Sequence, residues 1–114
     1  EKFIIKKGKI MESIKNVELV KKANIYFGGN VTSRTFIEPN GDKKTLGIMM
    51  VGEYTFGTNE AELMEIIGGE CEVRLKDSTE WNTYTENTSF NVPANSSFDI
   101  KVKVITDYCC SFIK

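Results

Sequence analysis

The chain of 114 residues contains no histidine. That absence limits what its other side chains can do, because the commonest general base and the commonest metal ligand are both missing. Zinc sites of the Cys/His type and Ser-His-Asp triads are excluded. Proton transfer is left to carboxylic acids, tyrosine, lysine or water. Side chains of that kind gather in one stretch, Glu53, Tyr54, Thr58 and Glu62, with Phe56 among them. With no imidazole to offer, the chain is expected to carry no histidine-bound metal. The three cysteines are Cys71, Cys109 and Cys110, an odd count with one adjacent pair, which is no disulfide framework. Adjacent residues on a strand point to opposite faces, so at most one of Cys109 and Cys110 faces a core. Buried free thiols in a reducing cytosol are the expectation.

The elements that must position these groups read as strands. Length fits one domain. Apolar residues make up 40% and charged residues 27%, the balance of a globular chain. Net charge is -1, with lysines and acids interspersed, so no nucleic-acid or anionic-membrane partner is expected. No apolar run has the length of a membrane span. From Ile25 onward Val, Ile, Thr, Tyr and Phe dominate and the helical period is missing. Turn residues punctuate the text at Gly28-Gly29-Asn30, at Pro39-Asn40-Gly41-Asp42, and from Gly57 to Ala61. Gly68-Gly69 reads as a further hairpin, and polar breaks follow at 76–80, 86–88, 93–96 and Thr106-Asp107. Between breaks, Phe98, Ile100, Val102 and Val104 alternate with Asp99, Lys101 and Lys103. Cys71, Val73 and Leu75 alternate in the same way with Glu72 and Arg74. A period of two puts one apolar face against a core. Many short half-buried strands predict a sandwich or a closed barrel. The stretch from Met11 to Ala23 reads as a short helix or a pre-strand arm. Residues 1–10 read as a leader or an overextended start, with Met11 the natural beginning.

Spacing carries more. Glu62 and Gly69 are separated by six residues, with Phe56 and Thr58 upstream. Asn87, Pro93, Asn95, Phe98 and Val102 form a second spaced set. The two sets resemble the paired motifs of the cupin family, with Phe56, Thr58 and Phe98 standing where that family has histidines. The resemblance implies that Phe56, Thr58, Glu62 and Phe98 line one cavity. A second resemblance is closer. The run Lys44-Thr45-Leu46-Gly47-Ile48-Met49, then Gly52-Glu53-Tyr54-Thr55-Phe56-Gly57-Thr58, is similar to the pyrimidine/purine nucleoside phosphorylase family of short cupin-fold proteins. The likeness continues through Glu62, Met64, Gly69, Trp81, Phe90-Asn91-Val92-Pro93, Ser96, Phe98, Tyr108 and Cys110, and covers residues 24–113. The chain departs from the pattern in its added N-terminal arm, at Asn87, where many relatives have glycine, and at Asn95.

The resemblance implies an all-β fold: a single small cupin-type, jelly-roll-like barrel over 24–114, preceded by an arm over 1–23. It implies phosphorolysis of purine and pyrimidine nucleosides to free base and pentose 1-phosphate, a pentosyltransferase reaction of broad specificity. Phosphate needs cations or N–H donors. A cation-like sugar benefits from nearby negative charge, and tolerance of many bases suits stacking on aromatics. On that basis Glu62 is expected to serve the sugar, with Thr58 and Tyr54 as catalytic companions. Phe56, Phe98 and Tyr108 are expected to hold substrate, although core packing would explain the same aromatics. Glu53 belongs to the substrate set by motif; by alternation it points away from Tyr54 and Phe56, toward backbone or a partner subunit. Lys43, Lys44 and Arg34 are the phosphate candidates. Trp81 reads equally as a rim anchor or a core residue. The expected partners are nucleoside and phosphate, with phosphate as co-substrate and no cofactor, in a cytoplasmic homodimer. Purine and pyrimidine bases leave differently, so much of the proton delivery is expected to fall to solvent. Two other readings stay open: a metal-free cupin that binds a nucleoside or sugar without turnover, and an interaction module that pairs through an exposed sheet face.

Overall fold

In the computed structural model, which describes residues 12–114, the alternation at Phe98–Val104 belongs to a much longer strand. Nine strands follow in chain order: β1 (Glu18–Leu19), β2 (Asn24–Tyr26), β3 (Val31–Ile37), β4 (Lys43–Met49), β5 (Gly52–Gly57), β6 (Ala61–Leu75), β7 (Asn82–Thr85), β8 (Thr88–Val92) and β9 (Ser97–Ile113). Only a 3-10 turn at Phe27–Gly29 interrupts the β text among the described residues. The expectation about residues 1–10 lies outside them.

β9 is the spine. Its first half pairs with β5 and its second half with β4, while β6 runs antiparallel along its whole length. The ordered path is β1-β3-β4-β9-β6-β7, with β2 added to β3, β5 to β9 and β8 to β6. The path does not return on itself, so the cupin-type fold is an open sheet wrapped round a core, not the closed barrel expected. Inward positions on β9 keep the even numbers: Phe98, Ile100 and Val102, then Thr106, Tyr108 and Cys110 are all buried. Val104, expected on the same face, is 53% exposed.

Two breaks read from the sequence are not breaks. Thr106-Asp107 stays in strand because the buried Thr106 hydroxyl donates to the Val104 carbonyl at 2.8 Å, so the polar group is satisfied locally. Gly68-Gly69 is no hairpin. β6 passes straight through it, and its register against β9 shifts at Gly68 and again at Glu70, which marks a β-bulge. Gly69 has φ +96, and a Cβ there would press on the Ile105 carbonyl and on Thr106 Cα, so only glycine fits. The bulge moves the buried set of β6 from even positions (Met64, Ile66) to odd ones (Cys71, Val73). That change of parity lets one strand serve both ends of the core.

The arm before β2 is extended, not helical. Leu19 stands across from Phe36, Val20 N donates to Thr35 O at 2.9 Å, and Arg34 Nη1 reaches Lys21 O at 3.5 Å. Phe36 is 2% exposed on the strand this arm covers. The core cluster joins Met64, Ile66, Cys71, Val73, Phe90, Val92, Phe98, Ile100 and Val102, with Phe56, Tyr84 and Phe112 packed on it. All three cysteines are free and buried.

Candidate active site

At the β3-β4 end the inner faces do not fill the space between them. A cavity of about 270 Å³ remains, walled by Phe56, Phe98, Phe112, Met49 and Met64, with Tyr26 beside it. That is just under the roughly 300 Å³ at which small-molecule sites usually begin. Polar groups enter from four directions: Ser33 from β3, Thr45 from β4, Glu62 from β6, and Tyr108 and Cys110 from β9. Asn59 and Glu60 stand on the loop between β5 and β6. The placement follows from register. Gly47 and Thr45 on β4 face Tyr108 and Cys110, and Met64 on β6 also faces Cys110, which sets Glu62 diagonal to that thiol.

The aromatic wall is continuous. Phe56 stacks on Phe98 at 5.6 Å with planes 28° apart, and Tyr26 meets Phe56 edge-on at 6.2 Å. Phe27 packs against Tyr54 and Phe56 at 5.0 and 5.4 Å. Its backbone sits at φ +51, a left-handed conformation that costs a bulky residue free energy. The ring contacts on the cavity's outer wall hold it there.

Charge in the cavity has one sign. Glu60 and Glu62 are the charged residues of the lining; among the described residues that form it there is no lysine or arginine. Burial pushes the Glu62 carboxyl above the usual carboxylate range; the hydrogen bond from Cys110 pulls it back, and Glu60 pushes it up further. Burial likewise drives the Cys110 thiol well above an ordinary cysteine, with Glu62 adding to the effect. The Tyr108 hydroxyl is raised by burial first and then by Cys110, against a hydrogen bond with Ser33. Gly47 makes room for this ring: a Cβ on it would lie 2.7 Å from Tyr108 Oη. Burial therefore favours the neutral, proton-bearing form of each of these groups.

Of the candidates drawn from the sequence, Phe56, Glu62, Phe98 and Tyr108 share this cavity. Thr58 does not line it. Its Oγ1 donates to Pro93 O at 2.7 Å and accepts from Ser96 N at 3.0 Å, which ties the β5-β6 loop to the β8-β9 loop. Tyr54 is buried beneath Phe27, its hydroxyl donating to Met50 O at 2.7 Å. Glu53 lies exposed on the opposite face, across from Lys101.

The three phosphate candidates also lie outside the cavity. Lys44 alternates with the inward Thr45, and its Nζ pairs with Glu38 Oε1 at 3.0 Å. That hydrogen bond is the main cause holding its ammonium above the ordinary value. Lys43 is exposed at the hairpin end, and Arg34 lines a separate groove with Ile25, Leu46 and Ile48. Trp81 is neither core nor cavity: Arg74 and Lys101 stand over its ring at 4.7 and 4.1 Å, and Arg74 bonds Asp99 at 2.8 Å. Sequence reasoning missed Tyr26, Ser33, Glu60 and a cavity place for Cys110. Alternation would have put Tyr26 opposite Ile25, but β2 spans only Asn24–Tyr26, too few residues to fix a face.

Fold and cavity together define a cupin-type sheet around a small pocket, with an aromatic wall and carboxyl, thiol and hydroxyl groups inside. The family model described as pyrimidine/purine nucleoside phosphorylase matches residues 21–112. The chain belongs to that family. A protein of that name from Sulfurimonas denitrificans is 60% identical over 104 residues, covering 91% of this chain and all of its own. One from Clostridioides difficile is 56% identical over 103 residues, covering 90% of this chain and 98% of its own. Among solved structures, a protein of unknown function from Acinetobacter sp. ADP1 superposes with TM-score 0.86 at 42% identity, over 89% of this chain and 98% of the other. An RmlC-like cupin from Shewanella frigidimarina superposes with TM-score 0.64 over 88% of this chain and 86% of its own; at 15% identity it speaks for the fold alone.

Proposed function

We propose that the protein is a nucleoside phosphorylase of broad specificity, converting purine and pyrimidine nucleosides plus phosphate to free base plus pentose 1-phosphate. In reaction terms it is a pentosyltransferase. The observation that carries this reading is family membership across nearly the whole described chain, joined to a cavity that suits the substrate. Phe56 and Phe98 give the base a stacking face that favours no one heterocycle. Carboxyl and hydroxyl groups at Glu60, Glu62, Ser33, Thr45 and Tyr108 are at hand for the ribose. A phosphate oxygen forms the new bond to C1′ as the C1′–N bond breaks, and the base leaves with that electron pair and a proton.

Phosphate is bound in this reading by neutral donors, of which Asn59, Ser33, Thr45 and Tyr108 line the space. Lys43, Lys44 and Arg34 would contribute only at longer range or across a subunit boundary. No cofactor beyond phosphate is required. The protein works as a homodimer, which the outward Ile25, Leu46 and Ile48 support. A reducing cytoplasmic setting is supported by three buried free thiols.

The test is turnover. Chelator-treated protein is incubated with uridine, inosine and adenosine, with and without phosphate, and free base is followed. Phosphate-dependent release from purine and pyrimidine substrates is expected. A folded protein that binds nucleoside but releases no base would replace this reading with that of a non-enzymatic binding cupin.

A further inference from the structure

Glu62 stands where a carboxyl group has little to keep it charged. Its cross-strand neighbours are Phe112 on β9 and Val92 on β8, neither of which can pair with it. The titratable groups that share its cavity are Glu60 on the loop, Tyr26 on β2, and Tyr108 and Cys110 on β9. None of them brings a positive charge. Among the described residues, the hydrogen bond that favours its charged form comes from the Cys110 thiol, a weak donor. A carboxyl group in such surroundings is well suited to giving up a proton and poorly suited to steadying a cation.

We propose, resting on the phosphorylase reading above, that Glu62 is the acid that protonates the departing base, because it is the one carboxyl walled into the cavity by aromatic rings and set against the Cys110 thiol. Sugar stabilisation then passes to Glu60 at the solvent-facing mouth, and proton delivery is not left to water. The step balances. As the C1′–N bond breaks, its electron pair goes to the base, and the Glu62 O–H proton goes to that same heterocycle. Hydrogen phosphate forms the new C1′–O bond. Glu62 is left as a carboxylate, and the proton that the esterified phosphate sheds to solvent restores it through the open mouth. Burial, which holds Glu62 above the ordinary carboxylate range, keeps the acid form available. Cys110 is a positioning residue that holds the carboxyl's orientation.

The experiment compares two leaving groups in one protein. Inosine needs a proton on its base. 7-Methylinosine already carries a positive charge on its purine and leaves without one. Wild-type kcat/KM for inosine should fall as pH rises through the Glu62 pKa, because the acid form is the active one. Glu62→Gln should remove that alkaline limb and lower the inosine rate by roughly 10²- to 10⁴-fold. Its rate on 7-methylinosine should fall by less than about tenfold, which also shows that the variant is folded. Equal losses on both substrates would place Glu62 on the sugar or phosphate and overturn the proposal, as would an alkaline limb that survives the substitution. If Glu62→Gln does not fold, Cys110→Ala decides. It removes the bond that restrains the Glu62 pKa, so the limb should move to higher pH, and an unmoved limb refutes the assignment. Failure of the underlying reading looks different: wild-type protein would then release base from none of inosine, uridine or 7-methylinosine.

Discussion

Gly47→Ala tests whether the cavity end at Tyr108 is as tightly fitted as it looks. Gly47 lies on β4 directly across from Tyr108, and the ring rests over it, an aromatic laid on a strand glycine. A Cβ at position 47 would meet Tyr108 Oη at 2.7 Å and Cε1 at 2.8 Å, against the 3.4 Å at which ordinary contact begins. The ring must therefore withdraw by 0.7 Å, and it is already 95% out of solvent, in a pocket shared with Ser33 and Cys110. The Thr32 carbonyl crowds the same methyl group and belongs to a strand backbone that cannot move alone. Overpacking of this kind costs about 1–3 kcal/mol. At roughly 4 °C per kcal/mol for a domain of this size, Tm should drop by about 4–12 °C. Thermal unfolding followed by far-UV circular dichroism measures it. Nucleoside KM should rise as well, because the displaced ring enters the cavity. In a Tyr108→Ala background the side-chain part of the cost disappears, so a coupling of at least ~0.5 kcal/mol is expected between the two sites. A Tm within about 1 °C of wild type would refute the argument from contact distance, and zero coupling would show that the ring is not lodged over the glycine.

Other outcomes follow from the same geometry. Gly69→Ala imposes both a left-handed backbone and a backbone clash, so it should cost more than Gly47→Ala and at least ~2 kcal/mol by denaturant titration; a loss under half that would mean the bulge can relax. Native thiols should resist a disulfide reagent at pH 8, because burial pushes Cys109 to about 11 and Cys71 to about 12, while full labelling should follow in denaturant. Complete labelling of the folded protein within the mixing time would contradict that burial. Asp99 is held below the ordinary carboxylate range by hydrogen bonds from Thr55 and then Arg74. Its stabilisation is therefore present above the unfolded-state pKa and lost as pH falls through the lower folded one. Asp99→Asn should destabilise at neutral pH by less than ~1 kcal/mol, since the pair is half exposed, and the difference should vanish in acid. A difference that grows toward low pH would be the wrong sign. Ile48→Glu should convert the proposed dimer to a monomer in sedimentation velocity that keeps its far-UV circular dichroism spectrum, because Ile48 faces outward; an unchanged sedimentation coefficient would remove that face from the interface.

The parts of this fold that could be read in the sequence are those where one physical rule acts alone. Phe98, Ile100 and Val102 alternate because one face of β9 is buried and the other is wet. The motif spacing that puts Phe56, Glu62 and Phe98 together reflects inward positions on adjoining strands. Gly68-Gly69 misled because a tight turn and a β-bulge ask for the same residue, and only the partner strand decides between them. Thr106-Asp107 looked like a break because composition does not show that a hydroxyl can satisfy itself on the carbonyl two residues back. The lysines illustrate a third limit. Lys44 sits one residue from a cavity-lining threonine, and a net charge or a basic dipeptide does not say which of two neighbours faces inward. Cys110 entered the site for a longer-range reason. It lies across from both Thr45 and Met64, residues of strands on either side of β9, and no local pattern announces that meeting.

The spine of the sheet is made after every strand that it joins. While a ribosome is still extending the chain, β3 and β4 can form a hairpin, and β6 can gather β7 and β8. The edges of β4, β5 and β6 that β9 will cover remain unpaired meanwhile. Synthesis thus yields two half-built sheets before the strand that joins them is made. Folding must then close long-range contacts in one late step, which slows it relative to a protein built from local pairs. During that interval the nascent chain offers open strand edges to its neighbours, so the yield of native protein should depend on translation speed and on chaperone occupancy more steeply than its small size would imply.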